Sequence, residues 1–427
     1  MKKLALFTLV LQLQYCITAE REPIDLSLRF SLILRIFNQN STARSESTII
    51  FNPNFSPYPM HYDSPQTIKL SSNTQGTYTV YTLDGSNPTV NSPTFPADGL
   101  PIYHLAGAPI KAQAINSEKN KRSDISEGTY TYSTLKTGQT TIFDLFDEGF
   151  YRPGVERGYQ DNGDGTITDF YSGLIYQKCS AGQNNVTNCS GTATTSNWSN
   201  SLTYCNSLNL AGKTWRLPTQ KELSDLVPFN LSFPAIHSAY FPSTQNSSYW
   251  TSTNVASNSL NAWSLNFMDG SLNNSFNKST SLYTRCVTGS SIQTKSFKDN
   301  QDGTITDNST NLIWQKCSAG QNNDTNCSGT ATTSNWSNSL TYCNSLNLAG
   351  KNWKLPNINE LKSIIDYEKS TSPSSFANFF PNTPAASFWT SSSNSSGTAA
   401  WFINLSNGSQ NNTTKSNLFH LRCVIRL

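Results

Sequence analysis

Nine cysteines fall into three groups: Cys16 alone, then Cys179, Cys189, Cys205 and Cys286, then Cys317, Cys327, Cys343 and Cys423. A cysteine can attack as a thiolate, ligate zinc or close a disulfide. Zinc-binding pairs usually stand about two to four residues apart. Here the first pair is 10 residues apart, and no histidine pair lies nearby. Even sets in an exported chain predict disulfides, which leave no thiolate for catalysis. Six carboxylates recur in the same rhythm. Asp161, Asp164 and Asp169 lie in Asp-Asn-Gly-Asp-Gly-Thr-Ile-Thr-Asp, and Asp299, Asp302 and Asp307 in Asp-Asn-Gln-Asp-Gly-Thr-Ile-Thr-Asp. Such a set can bridge a weakly held cation. A calcium loop aligned on Asp164 would place Gln160 and Tyr171 at its first and last ligand positions, so tight turns account better for the pattern. Glu222 and Glu360 lack a second carboxylate placed to face them across a cleft, as a general-acid pair requires. Of the four histidines only His420 falls in the last cysteine group, opposite Tyr283 in the earlier one, which excludes a shared histidine mechanism. No catalytic residue, metal or cofactor is expected.

The elements that position these residues are duplicated. Residues 177–213 and 315–351 are identical except for Val186 against Asp324, with a period of 138 residues. A repeat this long predicts two domains, each folding alone and joined like beads. In each, Asp-Gly marks a hairpin, followed by a strand through Leu174-Ile175-Tyr176 or Leu312-Ile313-Trp314. Trp198, Leu202, Cys205 and Leu208 have helical spacing, with Gly212 as the expected stop. A second helix opens at Thr219 with Glu222 three residues on, and at Asn357 with Glu360, the pairing that satisfies free amides at a helix start. Leu223, Leu226 and Val227 form its buried stripe. Period-two runs then follow, Trp263, Leu265, Phe267 and Trp401, Ile403, Leu405, ahead of the turns Asp269-Gly270 and Asn407-Gly408.

With 30 Lys+Arg against 27 Asp+Glu and 13% charged residues, the chain carries no field suited to nucleic acid. Lys2 and Lys3 precede an apolar run, Leu4 to Leu13, too short to span a bilayer, which reads as an export signal over residues 1–15. Leu13-Gln14-Tyr15-Cys16 then resembles the lipobox of bacterial lipoproteins, which implies a lipid on Cys16 and attachment to a membrane. Tyr15 departs from the small residue usual there and leaves plain secretion as the alternative. Residues 16–50 are expected as a lipidated N-terminus and tether, or in part an added strand through Leu26, Leu28, Phe30 and Leu32.

Tyr81-Thr82-Leu83-Asp84-Gly85-Ser86-Asn87-Pro88-Thr89, Ile110-Lys111-Ala112-Gln113-Ala114 and Gly128-Thr129-Tyr130 resemble the C-terminal β-sandwich domain of chitobiase and β-hexosaminidase enzymes. That likeness implies an immunoglobulin-like spacer over 51–133, with a linker at 134–158. Trp215-Arg216-Leu217-Pro218, Glu222-Leu223, Tyr249-Trp250-Thr251-Ser252 and the closing Arg285-Cys286-Val287 resemble the Lcl C-terminal domain family. The second copy keeps Trp353-Lys354-Leu355-Pro356, Phe388-Trp389-Thr390-Ser391 and Arg422-Cys423-Val424. The resemblance implies an α+β architecture: two C-type-lectin-like, disulfide-bonded modules, at 159–289 and 290–427, in tandem after the all-β sandwich. Three disulfide pairings per module are open. The preferred one joins Cys179 to Cys189 and Cys205 to Cys286, then Cys317 to Cys327 and Cys343 to Cys423. All nine tryptophans lie in the modules, most as core; Trp250, Trp263, Trp389 and Trp401 are the choices for stacking on a sugar. The expected function is a non-enzymatic, lipid-anchored protein of the cell envelope, at the outer membrane or cell surface, adhering to a glycan or matrix protein. The alternatives are a structural envelope protein without a soluble ligand, or an oxidoreductase like the formylglycine-generating enzymes, whose fold is related.

Overall fold

A computed structural model describes residues 50–426 except 63–65, 84, 103–108, 117, 119–120, 185–187 and 290–294. The export signal, Cys16 and the tether through residue 49 lie outside the described residues. The chain is β-rich, with five short helices among the described residues: α1 Glu148–Tyr151, α2 Trp198–Ser207, α3 Gln220–Ser224, α4 Trp336–Ser345 and α5 Ile358–Lys362.

Each repeat opens with the hairpin that Asp-Gly signals. Tyr159–Asp161 pairs antiparallel with Thr166–Asp169, and Ile175–Gln177 and Val287–Thr288 complete a four-stranded sheet. Phe297–Asp299, Thr304–Asp307, Leu312–Gln315 and Val424–Arg426 repeat it. α2 is capped by Asn197, whose side chain accepts the Asn200 N–H, and it stops short of Gly212. Leu208 has already turned extended, with ψ 118°. Gly212, at φ 64°, instead serves the tight turn between Leu210 and Lys213. α3 and α5 carry full capping boxes, Thr219 with Glu222 and Asn357 with Glu360, each closing reciprocal hydrogen bonds between side chain and backbone. Leu223, Leu226 and Val227 are all fully buried behind α3.

The two repeats are not separate beads. One eight-stranded sheet runs through both, in the order Thr195–Ser196, Leu282–Tyr283, Ser248–Val255, Asn258–Asn266, Leu272–Asn273, Ser409–Thr414, Ala399–Asn404, Ser387–Ser393. At the seam Leu272 pairs antiparallel with Gln410, which stands 138 residues later at the equivalent position of the second copy. A residue that pairs with its own counterpart lies on a local two-fold axis. The side chains obey the same symmetry: Phe229 meets Trp401 edge to face at 5.0 Å, and Tyr367, the counterpart of Phe229, meets Trp263, the counterpart of Trp401, at 5.4 Å. One hydrophobic cluster therefore holds Leu223, Val227 and Leu265 together with Leu361, Ile365 and Ile403. The expectation of independent folding treated each stripe as facing its own module; these two faces are apolar on both sides and close on each other instead.

Residues 134–158 are likewise not a free linker. Leu135 bridges to Val155, the Phe229 N–H donates to the Thr137 carbonyl at 2.7 Å, and Thr137, Gln139, Asp147 and Glu148 are buried. Before this clasp stands the sandwich. Asn54–Ser56, Gln66–Ser71 and Leu100–Ile102 form one sheet, and Tyr78–Thr82, Pro109–Asn116, Lys121–Arg122 and Ser126–Thr129 the other. Their core of Ile68, Ile110, Tyr130 and Tyr132 runs on through Leu135 and Val155 to Tyr171.

Candidate functional site

The sulfurs pair as Cys179–Cys189, Cys205–Cys286, Cys317–Cys327 and Cys343–Cys423. Among the described residues no cysteine is left free, so chemistry of the formylglycine-generating type has no thiol to use there. The Asp residues serve their own turns. Asp161 accepts the Gly163 N–H at 3.0 Å and pairs with Lys178 at 2.6 Å, and Asp164 accepts from the Thr166 N–H and hydroxyl. Asp169 accepts from Tyr171 and Ser172. In the second copy Asp299 takes Gln301 and Lys316, Asp302 takes Thr304, and Asp307 takes Ser309 and Thr310. No group of three His, Cys, Asp or Glu side chains with metal-holding geometry occurs among the described residues. Glu222 is held by Arg216 through two hydrogen bonds of 2.7 Å, and Glu360 by Arg426 at 2.9 Å. Both are caps, Glu222 held by the arginine just before its helix and Glu360 by the arginine of the closing strand.

The four tryptophans chosen for a sugar do not present a face to one. Trp250, Trp263, Trp389 and Trp401 are at most 2% exposed. Trp250 and Trp389 donate their indole N–H groups to the Ser196 and Ser334 carbonyls, while Trp263 and Trp401 fill the seam between the modules. Their alternation along the strands does mark a face, but the face points inward.

Charged side chains gather instead in a cleft where the two repeats meet. A cleft of about 520 Å³ is lined by α3, the start of the second repeat and the segment after α5. At its inner end Lys221, Lys295 and Lys362 line the wall together with Asp225, and Lys295 is acted on by Asp307 more than by Asp225. Lys221 Nζ lies 2.6 Å and Lys362 Nζ 3.9 Å from Asp225. Burial raises the Asp225 carboxyl, but Lys221, Lys362 and Arg157 outweigh it and hold it below the usual range. Burial pushes the Lys362 ammonium down to about 7, against the pull of Asp225 and with the help of Lys221. Three lysines share this inner end with one lining carboxylate, Asp225, while Asp307 acts on Lys295 and Glu222, Asp366 and Glu368 line the rest of the cleft, so the positive charge is confined to the inner end. The mouth is lined by Thr219, Thr253, Glu368 and the partly buried rings of Tyr367 and Phe376. None of these lysines stands in a motif. The trace they leave in the sequence is Lys221 four residues before Asp225, an ordinary helix pair in one copy and Asn359 with Ser363 in the other.

The clasp adds one unusual group. Glu148 is 2% exposed and accepts from the Ser392 hydroxyl at 2.5 Å, Asn357 Nδ2 at 3.2 Å and the Thr137 N–H at 3.4 Å. Burial lifts it from 4.5 to about 7 despite those donors. A folded chain that keeps this proton up to about 7, while the unfolded chain loses it near 4.5, is more stable in acid and loses that advantage as pH rises between the two values. Above about pH 7 the buried charge costs on the order of 3 kcal/mol. Glu148→Gln is therefore expected to raise the urea midpoint at about pH 8 and to flatten its slope against pH between those limits. An unchanged slope would show that Glu148 titrates normally.

Residues 165–288 and 303–425 each match the profile of the Lcl C-terminal domain. Residues 57–127 match the chitobiase/beta-hexosaminidase C-terminal domain. No curated protein matches the chain.

Proposed function

Because the chain belongs to the Lcl C-terminal domain family, twice over and across more than half its length, we propose that it is a non-enzymatic, lipid-tethered protein of the cell envelope that adheres to an anionic glycan. Both matched families point in the coarse direction of a surface or glycan-related protein. The observation that carries the finer reading is the cleft at the module seam, with Lys221, Lys295, Lys362 and Asp225 at its inner end. That inner end suits one sulfate or carboxylate, and the hydroxyls and half-buried rings at the mouth suit the sugar that bears it. The modules in this reading are C-type-lectin-like, and their fusion makes one joint site rather than two independent ones, so adhesion here does not rest on avidity between copies. The tether is assigned to Cys16. Among the described residues no helix is long and apolar enough to cross a membrane.

The test is titration of the full chain with heparin-derived oligosaccharides. An anion beside Lys362 favours its protonated form, so binding strengthens as pH falls through about 7. Affinity at about pH 6 is expected to exceed that at about pH 8.5 on the order of tenfold, one added ammonium being worth at least that much in a confined site. Lys362→Gln weakens the dependence, and Lys295, whose ammonium is also lowered by burial, carries what remains. Binding that ignores this variant would move the site elsewhere, and no binding at all would favour a structural envelope role.

A further inference from the structure

α2 and α4 have the same ten residues, yet they are buried differently. Trp336 and Leu340 are 0% and 1% exposed, whereas their counterparts Trp198 and Leu202 remain partly open. The difference is the clasp. Phe146 packs into the cluster of Trp336 and Leu340. The Phe143 ring lies beneath Lys415 Nζ at 5.3 Å and so close over Gly397 that an added Cβ there would stand 2.2 Å from it. Ser337 donates to Asp144, the Tyr151 hydroxyl donates to Asn344 Oδ1 at 3.0 Å, and the charge of Lys415, itself 3.8 Å over Trp336, is met by Asp147 and Asp144.

The first copy keeps part of this receptor, with no clasp on it among the described residues; Ser259 stands where Gly397 does, so the seat of the Phe143 ring is not kept. Ser199, Asn206 and Lys278 stand where Ser337, Asn344 and Lys415 do: the Trp198 N–H donates to the Lys278 carbonyl as that of Trp336 does to Lys415, both at 3.0 Å. Lys278 Nζ sits 4.5 Å over Trp198, and Leu260 on the adjoining hairpin is 66% exposed. Only half of the clasp site is duplicated. Gln220 replaces Ile358, and its Oε1 accepts from the Thr253 hydroxyl at 3.1 Å, in the place where Ser392 donates to Glu148. The Glu148 pocket is thus filled from within, and the aromatic half is open. We propose that the α2 face binds an extended acidic-aromatic peptide segment of another protein, of the Asp-x-Phe type, in the way α4 binds residues 144–146 of its own chain.

The probe is a labelled synthetic peptide with the sequence of residues 140–152, titrated against the full chain and read by fluorescence anisotropy. One saturable site is expected, because the α4 site is already filled in cis. Leu202→Asp and, on the rim where folding is not at stake, Lys278→Glu should each weaken it more than tenfold. A peptide carrying Phe146→Ala should fail, and one carrying Glu148→Gln should bind unchanged. Binding that survives Leu202→Asp would mean displacement of the clasp from α4 and overturns the proposal. So would the absence of saturation. Self-association of the chain that Leu202→Asp abolishes, without peptide binding, would give the face to a second copy and equally overturn it.

Discussion

Replacing Cys205 and Cys286 with serine is expected to destabilise both repeats together, not only the one that carries the change. The bond closes a loop with a sequence separation of 81, and on a chain-entropy account its loss returns on the order of 4–5 kcal/mol of freedom to the unfolded chain. The short Cys179–Cys189 loop, with a separation of 10, is worth about 3 kcal/mol on the same account. Two properties make the long bond the more consequential. It ties α2 to the closing strand, where Arg285 is fully buried and donates to the Lys178 carbonyl and the Thr244 hydroxyl, so opening it frees an arginine whose burial is tolerable only while those acceptors stay in place. Loosening the first repeat also strips cover from Trp401 and Tyr367 in the second, because Phe229 and Trp263 pack on them. Urea unfolding followed by tryptophan fluorescence, with all nine indoles in the repeats, should show one transition shifted to lower denaturant. The sandwich lacks cysteine and should keep its far-ultraviolet signal longer. Two separated tryptophan transitions, with the second at its original midpoint, would mean that the modules fold independently after all.

What the sequence made legible, and what it hid, divides along local and non-local interactions. The capping boxes at Thr219 and Asn357 are closed within four residues, so the residue types alone determine them. The Asp-Gly hairpins and the alternating strands are local in the same sense. The long-range facts were not available from spacing. Trp263 and Trp401 sit at period-two positions whether their face meets solvent, a sugar or another module; only the pairing of Leu272 with Gln410 shows which. Arg285-Cys286-Val287 was visible as a motif, yet nothing nearby shows that its guanidinium is buried over Phe241, at 4.8 Å. The cleft was invisible for a related reason. Lys221 and Asp225 belong to one helix, but Lys362 arrives from the other repeat, where it replaces the counterpart of Ser224 and touches Ser224 itself at 3.4 Å. Near-identity over 37 residues also suggested equal surroundings for the two copies, and it failed at α2 and α4 because residues 143–146 pack on α4.

Trp401→Ala is expected to destabilise the fused pair by about 3–5 kcal/mol, the range for emptying a large aromatic site in a core that cannot collapse. The ring is 1% exposed and lies edge to face on Phe229 of the first repeat. Its indole N–H has no hydrogen-bond partner, so truncation leaves no orphaned acceptor and the cost is one of packing. That makes it a clean reporter of the seam. Phe229→Ala with Trp401→Ala should be non-additive by about 0.5–1.5 kcal/mol, the usual worth of an aromatic pair beyond its buried area. The control is Trp389, also fully buried but in a cluster of second-repeat residues with its N–H given to Ser334. Phe229→Ala with Trp389→Ala should be additive within a few tenths of a kcal/mol, because the two side chains share no partner. Additivity in both cycles would mean that Phe229 and Trp401 are neighbours without being coupled. The sheet alone would then join the repeats, and cleavage of the chain between residues 289 and 295 would leave two stable halves. Coupling only in the first cycle makes the side-chain seam the common core on which the geometry of the cleft between Lys221 and Lys362 depends.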